Sequence, residues 1–270
     1  MIIISISTTF DRLKNISINQ FPTHPCISYV VSCQGDMIHP TDNYIKIIED
    51  LFGINTPINL MNGFGLSRNR NASIFLANKI AKPQDYIYIC DDDVTIQVDG
   101  LLAAQKIAIK MNMDFIAGTV TTINGPFKKY EIKSKRLFRR DCAKISSVEL
   151  LISSDFLKIS EVDFDENFGL GATYPSGEEF IFCCDLIVSG GMGIFFPITF
   201  CEHAPVSSGQ DFFTKKIKIK AKGAMLARVY GKSIGSIYAF AFSVKKWNMY
   251  KNNLSFFYFT KYILQGVFWK

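Results

Sequence analysis

Residues Asp85-Tyr-Ile-Tyr-Ile-Cys-Asp-Asp-Asp-Val94 constrain the fold more than any other stretch of the chain. Tyr86 to Cys90 is a short apolar run of residue types that favour a pleated, buried strand, and Lys82-Pro83 supplies a break just before it. The run ends in three successive carboxylates, Asp91, Asp92 and Asp93. Like charges placed so closely repel one another unless a cation sits among them, and hard Mg²⁺ or Mn²⁺ prefers carboxylate oxygens. Open α/β sheets gather ligands at the carboxyl ends of their strands, so the position suits a site. A lone Asp-Asp-Asp is more often a polar turn facing water, and the neighbouring segments have to decide.

Those segments alternate. Ile2 to Ile6 reads as a first buried strand. The Ser7-Thr8-Thr9-Phe10-Asp11-Arg12 that follows suits a nucleotide base or ribose as well as it suits a capped turn. Ser28 to Ser32 is a second strand. A helix then starts behind Thr41, carries Tyr44, Ile47, Ile48 and Leu51 on one face and closes at Gly53. Ile58 to Met61 is a third strand, and the alternation predicts a parallel sheet. Ser67 reads as the N-cap of the next helix, with Ala72, Phe75, Leu76 and Ile80 as its apolar face. Arg68 and Arg70 then fall in its first turn, where cations oppose the helix dipole unless an anion or the aspartates compensate. Free N–H groups and guanidinium forks together would draw a diphosphate.

Beyond the aspartates, Asp99 is placed to cap a helix through Met111, and Phe115 to Val120 forms a strand. Thr121 to Arg140 breaks the pattern. Seven Lys or Arg lie between Lys128 and Arg140, against Glu131 alone, which predicts a basic loop or hairpin. Ser147 to Ile152 reads as a strand, and Ser154 starts a short helix. Glu178 and Glu179 open a helix that runs through Ile187. Acids in a first turn favour the macrodipole, and the same pair could serve as a catalytic base at a helix mouth; the residues alone leave both readings open. Phe195 to His203 is a further strand, and His203 at its end either packs or completes a metal shell.

Charge divides the chain. From Asp211 to Lys270 there are twelve Lys or Arg and one acid, which leaves a net −5 for residues 1–210 out of the formal +6. The expected organisation is a mildly acidic domain over 1–210 and a helical, basic and aromatic extension over 211–270. Basic and aromatic residues on short helices suit the face of an anionic membrane, and no nucleic-acid module appears. Met1 to Ile6 lacks a basic leader, Phe180 to Phe200 is interrupted by Asp185 and three glycines, and seven scattered cysteines form no metal or disulfide pattern. The expectation is a cytoplasmic protein, peripheral at most on the inner face of the cell membrane.

Three motifs in order, Gly65-Leu-Ser-Arg-Asn-Arg-Asn71, Asp85 to Val94, and Phe164-Asp-Glu-Asn-Phe-Gly-Leu-Gly171 with Gly177-Glu-Glu179, resemble the glycosyltransferase family 2 enzymes over about residues 1–210. The resemblance implies a GT-A fold, a Rossmann-like mixed α/β sheet flanked by helices that binds a nucleotide-sugar beside Mn²⁺ or Mg²⁺. It implies that Asp91 and Asp93 are the outer carboxylates of an Asp-x-Asp element. Asp91 and Asp93 would hold the metal, Asp91 and Asp92 would face the donor, and Asp92 would matter less than its neighbours. Thr8, Asp11 and Arg12 match the nucleoside region, Arg68 or Arg70 the diphosphate, and His203 a histidine that joins the metal or the diphosphate. Gly177-Glu-Glu179 stands where the family usually has Gly-Glu-Asp, so Glu179 is the first candidate base and Glu178 the second.

The implied reaction is an inverting transfer from a nucleotide-sugar, a UDP-sugar favoured, to a hydroxyl of a saccharide acceptor. The tail suggests a lipid-linked glycan of bacterial surface polysaccharide synthesis. The first rival is a metal-dependent sugar nucleotidyltransferase, which would want a Gly-rich phosphate loop near the first strand; residues 7–14 do not supply one. The second is a non-catalytic nucleotide-sugar or glycan binder.

Overall fold

Seven of the eight residues of Ile2–Thr9 (β1) are buried in the computed structural model, which describes residues 1–204, 213 and 215–269. A strand covered on both faces belongs in the middle of a parallel sheet. Contacts group the chain into two units. Met1–Phe64, Arg68–Asp163 and Cys183–Pro205 form the first; Gly65–Ser67, Phe164–Phe182 and Val206–Lys270 form the second. The boundary expected at 210/211 lies outside the described residues.

The first unit holds a ten-stranded sheet. After β1 its strands are Ile27–Gly35 (β2), Ile58–Asn62 (β3), Tyr86–Asp91 (β4), Val94–Ile96 (β5) and Phe115–Thr122 (β6). Gly125–Pro126 (β7), Lys135–Arg136 (β8), Leu150–Ser153 (β9) and Gly193–His203 (β10) complete it. The order is β3-β2-β1-β4-β9-β6-β10-β5, with β7 on β6 and β8 on β10. β3, β2, β1 and β4 are parallel, while β9 runs antiparallel between β4 and β6, and β10 is parallel to β6. The carboxyl ends of β1, β4, β6 and β10 therefore share one edge. This is the expected mixed sheet with a Rossmann-like half.

Side-chain alternation sorts the two faces of β1. Ile2, Ile4 and Ile6 join a core with Val31, Tyr88, Cys90, Ile116, Leu151 and Phe200. Ser5 and Ser7, on the opposite face, are buried as well. The helices of this part of the chain are Phe10–Leu13 (α1), Thr41–Phe52 (α2), Leu66–Ile80 (α3), Val98–Met111 (α4) and Ser154–Ser160 (α5). α2 ends at Gly53 as expected.

Several local expectations are corrected. α3 begins at Leu66, so Ser67 lies inside the helix, and its hydroxyl donates to the Phe168 carbonyl at 2.5 Å instead of capping. The buried face of α3 is not the expected one: Phe75 is 59 % exposed and Ile80 36 %, while polar Asn69, Arg70 and Ser73 are buried beside Ile74 and Ala77. Asp99 sits in the first turn of α4, whose N-cap is Gln97. The chain after the aspartates immediately forms β5, antiparallel to β10. Ser147–Glu149 is a 3₁₀ turn ahead of β9. Residues 121–140 hold β7 and β8, tied down by Lys128 and Tyr130, which donate to buried Glu149 at 2.7 and 2.6 Å. All seven cysteines are free thiols, and only Cys26 is exposed.

Glu178–Val188 (α6) follows, and Lys216–Lys245 (α7), Trp247–Tyr250 (α8) and Phe256–Val267 (α9) build the second unit. α7 is interrupted at Gly231, whose φ of 76° a residue with a Cβ rarely adopts. α7 and α9 cross on glycines. A Cβ on Gly223 would stand 1.9 Å from the Ile263 carbonyl oxygen, and one on Gly266 1.9 Å from that of Lys220. Among the described residues, no helix is long and apolar enough to cross a membrane.

Candidate active site

The acidic edge is built by the register of β1 against β4, which sets Ser7 beside Asp91. Asp91 closes β4, and the next two residues turn the chain back into β5. Gln20 steadies that turn: its side-chain amide donates to the carbonyls of Asp92 and Val94 at 3.4 and 3.3 Å. Each of the three aspartates then meets a cation from a different segment. Arg70, buried on α3, donates from Nη2 to both oxygens of Asp91 at 3.0 and 3.2 Å. Arg12 from α1 reaches Asp92 at 2.5 Å and Asp93 at 2.7 Å. His203 Nε2, at the end of β10, lies 3.3 Å from Asp93 Oδ1.

The middle aspartate is the most enclosed. Asp92 is 6 % exposed and accepts from the Thr8 hydroxyl at 2.5 Å. Burial pushes its carboxyl up to about 6, against the opposing pulls of Thr8 and Arg12. Asp93 moves the other way. The His203 imidazole, and after it Arg12, hold it well below the usual carboxylate range despite burial. The same contact raises His203 above its ordinary value.

α3 is positioned by a polar seam. Asn69 donates from Nδ2 to the Thr8 carbonyl at 2.9 Å, and Ser73 Oγ accepts from Ser5 at 2.7 Å and lies 3.2 Å from Ser7 Oγ. Ser73 also donates to the Arg70 carbonyl at 2.9 Å. This seam fixes how α3 presents Arg70. Thr8, Arg12, Arg70, Asp91, Asp92, Asp93 and His203 are thus gathered at one edge. Arg68 is exposed and donates to the Asn62 carbonyl at 2.8 Å, so the seam brings Arg70 and not Arg68 to the aspartates. Asp11 is exposed in the first turn of α1 and, among the described residues, bonds to none of these groups. Gln20, Asn69 and Ser73 were not singled out from the sequence; the alternation of Ser5 and Ser7 with isoleucines in β1 is the signal that marks a polar partner across that face.

The contact between Asp93 and His203 has ion-pair distance without hydrogen-bond geometry, and Asp93 Oδ1 is buried with no hydrogen-bond donor. A protonated His203 neutralises that oxygen at this distance, and a neutral His203 would present Nε2 beside it as a second ligand atom. Two ligand atoms at right angles around an ion, each about 2.1 Å from it, stand about 3.0 Å apart, near the observed 3.3 Å. Asp93 and His203 therefore fit a small divalent ion as a pair, while Asp91 is engaged by Arg70. Among the described residues, no group of three or more His, Cys, Asp and Glu could hold a metal, so further ligands would come from a bound phosphate or water.

The second unit carries the two glutamates in the first turn of α6. Glu178 is buried and Glu179 half-buried. The charge of Glu178 acts on Lys222 of α7, whose ammonium is pushed down to about 8 by burial.

No protein-family model and no curated protein matches the chain. Solved structures do. The chain is similar to S. aureus TarS at TM-score 0.59 and 13% identity, over 93% of its own length and 44% of that chain. Against TarS 1-349 in complex with UDP-GlcNAc, the TM-score is 0.57 at 13% identity, covering 99% of this chain and 89% of that one. Against TarS 1-349 in complex with UDP, it is 0.55 at 13% identity, covering 93% and 73%. The chain thus spans less than half of the longer TarS structure. At this identity the likeness is one of fold, and it agrees with the GT-A-type α/β architecture and helical C-terminal segment expected from the motifs.

Proposed function

We propose that the chain is an inverting glycosyltransferase of the family 2 type that uses a UDP-sugar donor and a saccharide acceptor. The observation that carries this is the acidic edge itself: three aspartates, two arginines and a histidine converge at the carboxyl ends of β4 and β10. The fold is shared with a protein whose solved structures hold UDP and UDP-GlcNAc.

In this reading Thr8 and the Asp11-Arg12 segment hold the nucleoside, and Arg12 and Arg70 exchange an aspartate for diphosphate oxygens as the donor binds. Arg68, with its guanidinium at the exposed side of α3, supplies further positive charge. Asp91 and Asp92 fix the arginines and the Thr8 hydroxyl. Mn²⁺ or Mg²⁺, held by Asp93 and His203, would supply charge neutralisation for the diphosphate. Glu179 accepts the proton of the acceptor hydroxyl, with Glu178 as its neighbour. The acceptor oxygen forms its bond to the anomeric carbon while the bond from that carbon to the diphosphate oxygen breaks, and UDP leaves with the electron pair. The configuration at that carbon inverts. A product of retained configuration by NMR removes Glu179 from this role.

A lipid-linked acceptor at an anionic membrane, as in bacterial surface polysaccharide synthesis, is the setting we infer from the second unit. Ile234, Ile237, Tyr238 and Val244 share one side of α7 and are each about half exposed or more, with Lys245 and Lys246 at its end. Thermal shift with UDP and UDP-GlcNAc, with and without Mn²⁺, tests the donor site. Stabilisation that is lost in Asp93→Ala is expected; indifference to both nucleotides ends the reading. Co-sedimentation with vesicles containing anionic lipid tests the membrane.

A further inference from the structure

The second unit contains a cleft of about 560 Å³ that the donor chemistry does not use. One wall is Asp165, Asn167, Phe168, Thr173 and Tyr174; the facing residues, from α7 and the end of α9, include Arg228, Lys232 and Trp269. Its aromatic groups are braced against one another. Phe168 and Tyr174 stack at 4.6 Å, Trp269 meets Tyr174 edge-on at 4.9 Å, and the Tyr174 hydroxyl donates to the Trp269 carbonyl at 3.3 Å. Its polar groups are braced as well. Asp165 accepts from Arg228 Nε at 2.9 Å and from Asn167 Nδ2 at 2.9 Å.

We infer that this cleft binds a saccharide. A sugar ring offers a C–H face that packs on an aromatic ring and a rim of hydroxyls that pair with planar carboxylate, amide and guanidinium groups. The cleft supplies both kinds of partner within one wall and its opposite side. A lipid chain would want a wholly apolar lining, which Asp165, Asn167, Arg228 and Lys232 deny. The wall segment also runs directly into Glu178 and Glu179, five residues after Tyr174 at the latter. Naming the ligand an acceptor rests on the glycosyltransferase reading; that it is a saccharide does not. Lys232, exposed at the margin, suits a phosphate substituent on that saccharide.

The test is retention of the full chain on an array of neutral and phosphate-bearing oligosaccharides, with UDP-GlcNAc thermal shift run on the same preparations. The wild type is expected to retain a subset of glycans. Trp269→Ala should lose at least ten-fold in apparent affinity, and Trp269→Tyr, which keeps an aromatic face, should recover most of it. Lys232→Gln should weaken phosphorylated glycans alone. Trp247 emission checks that each variant is folded. Failure to retain any glycan, retention of peptides in their place, or Trp269→Ala binding as the wild type does, overturns the assignment. A normal nucleotide shift without glycan retention refutes the cleft and spares the donor site; glycan retention without a nucleotide shift supports the cleft and refutes the donor reading.

Discussion

Lys222→Met should change the pH dependence of stability in a calculable way. Lys222 is half-buried on α7, its ammonium 3.6 Å from the Met225 sulfur, a weak acceptor. Burial lowers it from 10.5 to about 8, although the charge of Glu178 pulls in the opposite direction. The folded chain therefore releases this proton at lower pH than the unfolded chain does. Between the two values the unfolded state holds more protons, so stability rises with pH; the contribution is complete above 10.5 and lost as pH falls through 8. Integrated from about pH 7.5 to about 9.5, the gain is about 2 kcal/mol. Cys33, Cys90, Cys142, Cys184 and Cys201 and Tyr29, Tyr86 and Tyr130 are raised in the fold as well, which lowers stability as their unfolded counterparts ionise, but wild type and variant share these groups and they cancel in the difference. Both tryptophans, Trp247 and Trp269, lie in the second unit with Lys222, so urea unfolding followed by their emission reports on the right part of the chain. Wild-type stability should climb by about 2 kcal/mol relative to Lys222→Met across the window. Parallel curves would refute the reasoning.

Gly223→Ala should lower the unfolding free energy of the second unit by about 2 kcal/mol or more, because its Cβ would overlap the Ile263 carbonyl; tryptophan emission in urea reads it. Glu149→Gln removes the buried charge that Lys128 shares and should cost about 2 kcal/mol, with faster tryptic cleavage between Lys128 and Arg140 as the measurement. Arg70→Met deprives Asp91 of its partner. Because Asp91 is 30% exposed, about 2 kcal/mol is expected in place of the larger loss of a fully buried pair, read as a lower circular-dichroism midpoint in urea.

Much of the fold was legible because the strands are apolar on both faces and the breaks between them are strong. The run Tyr86 to Cys90 and the Gly53 stop show this directly. β5 was not legible: three residues, Val94 to Ile96, carry too little pattern to announce that the chain doubles back onto β10. The face of α3 was misread for a physical reason. Hydrophobic periodicity assumes that the buried side is the apolar side, whereas this helix buries Asn69, Arg70 and Ser73, and leaves Phe75 outside. Of the site, the aspartates announced themselves by repulsion. Their individual partners did not, because Arg12, Arg70 and His203 come from segments far apart in sequence, brought together by the sheet and by the helices packed on it.

Apolar packing is tolerant of rotation, since one methyl group contacts a surface almost as well as the next. Hydrogen bonds are directional. α3 meets β1 through Asn69 and Ser73, so it is keyed to the sheet like a shaft in a slotted hub. Its angle about its own axis is set by those bonds and cannot drift as side-chain volumes change elsewhere. A single hydroxyl, that of Ser73, thereby controls where a guanidinium three residues earlier on the same helix comes to rest: exchanging it for alanine would leave the hydrophobic core intact and still loosen the aim of Arg70.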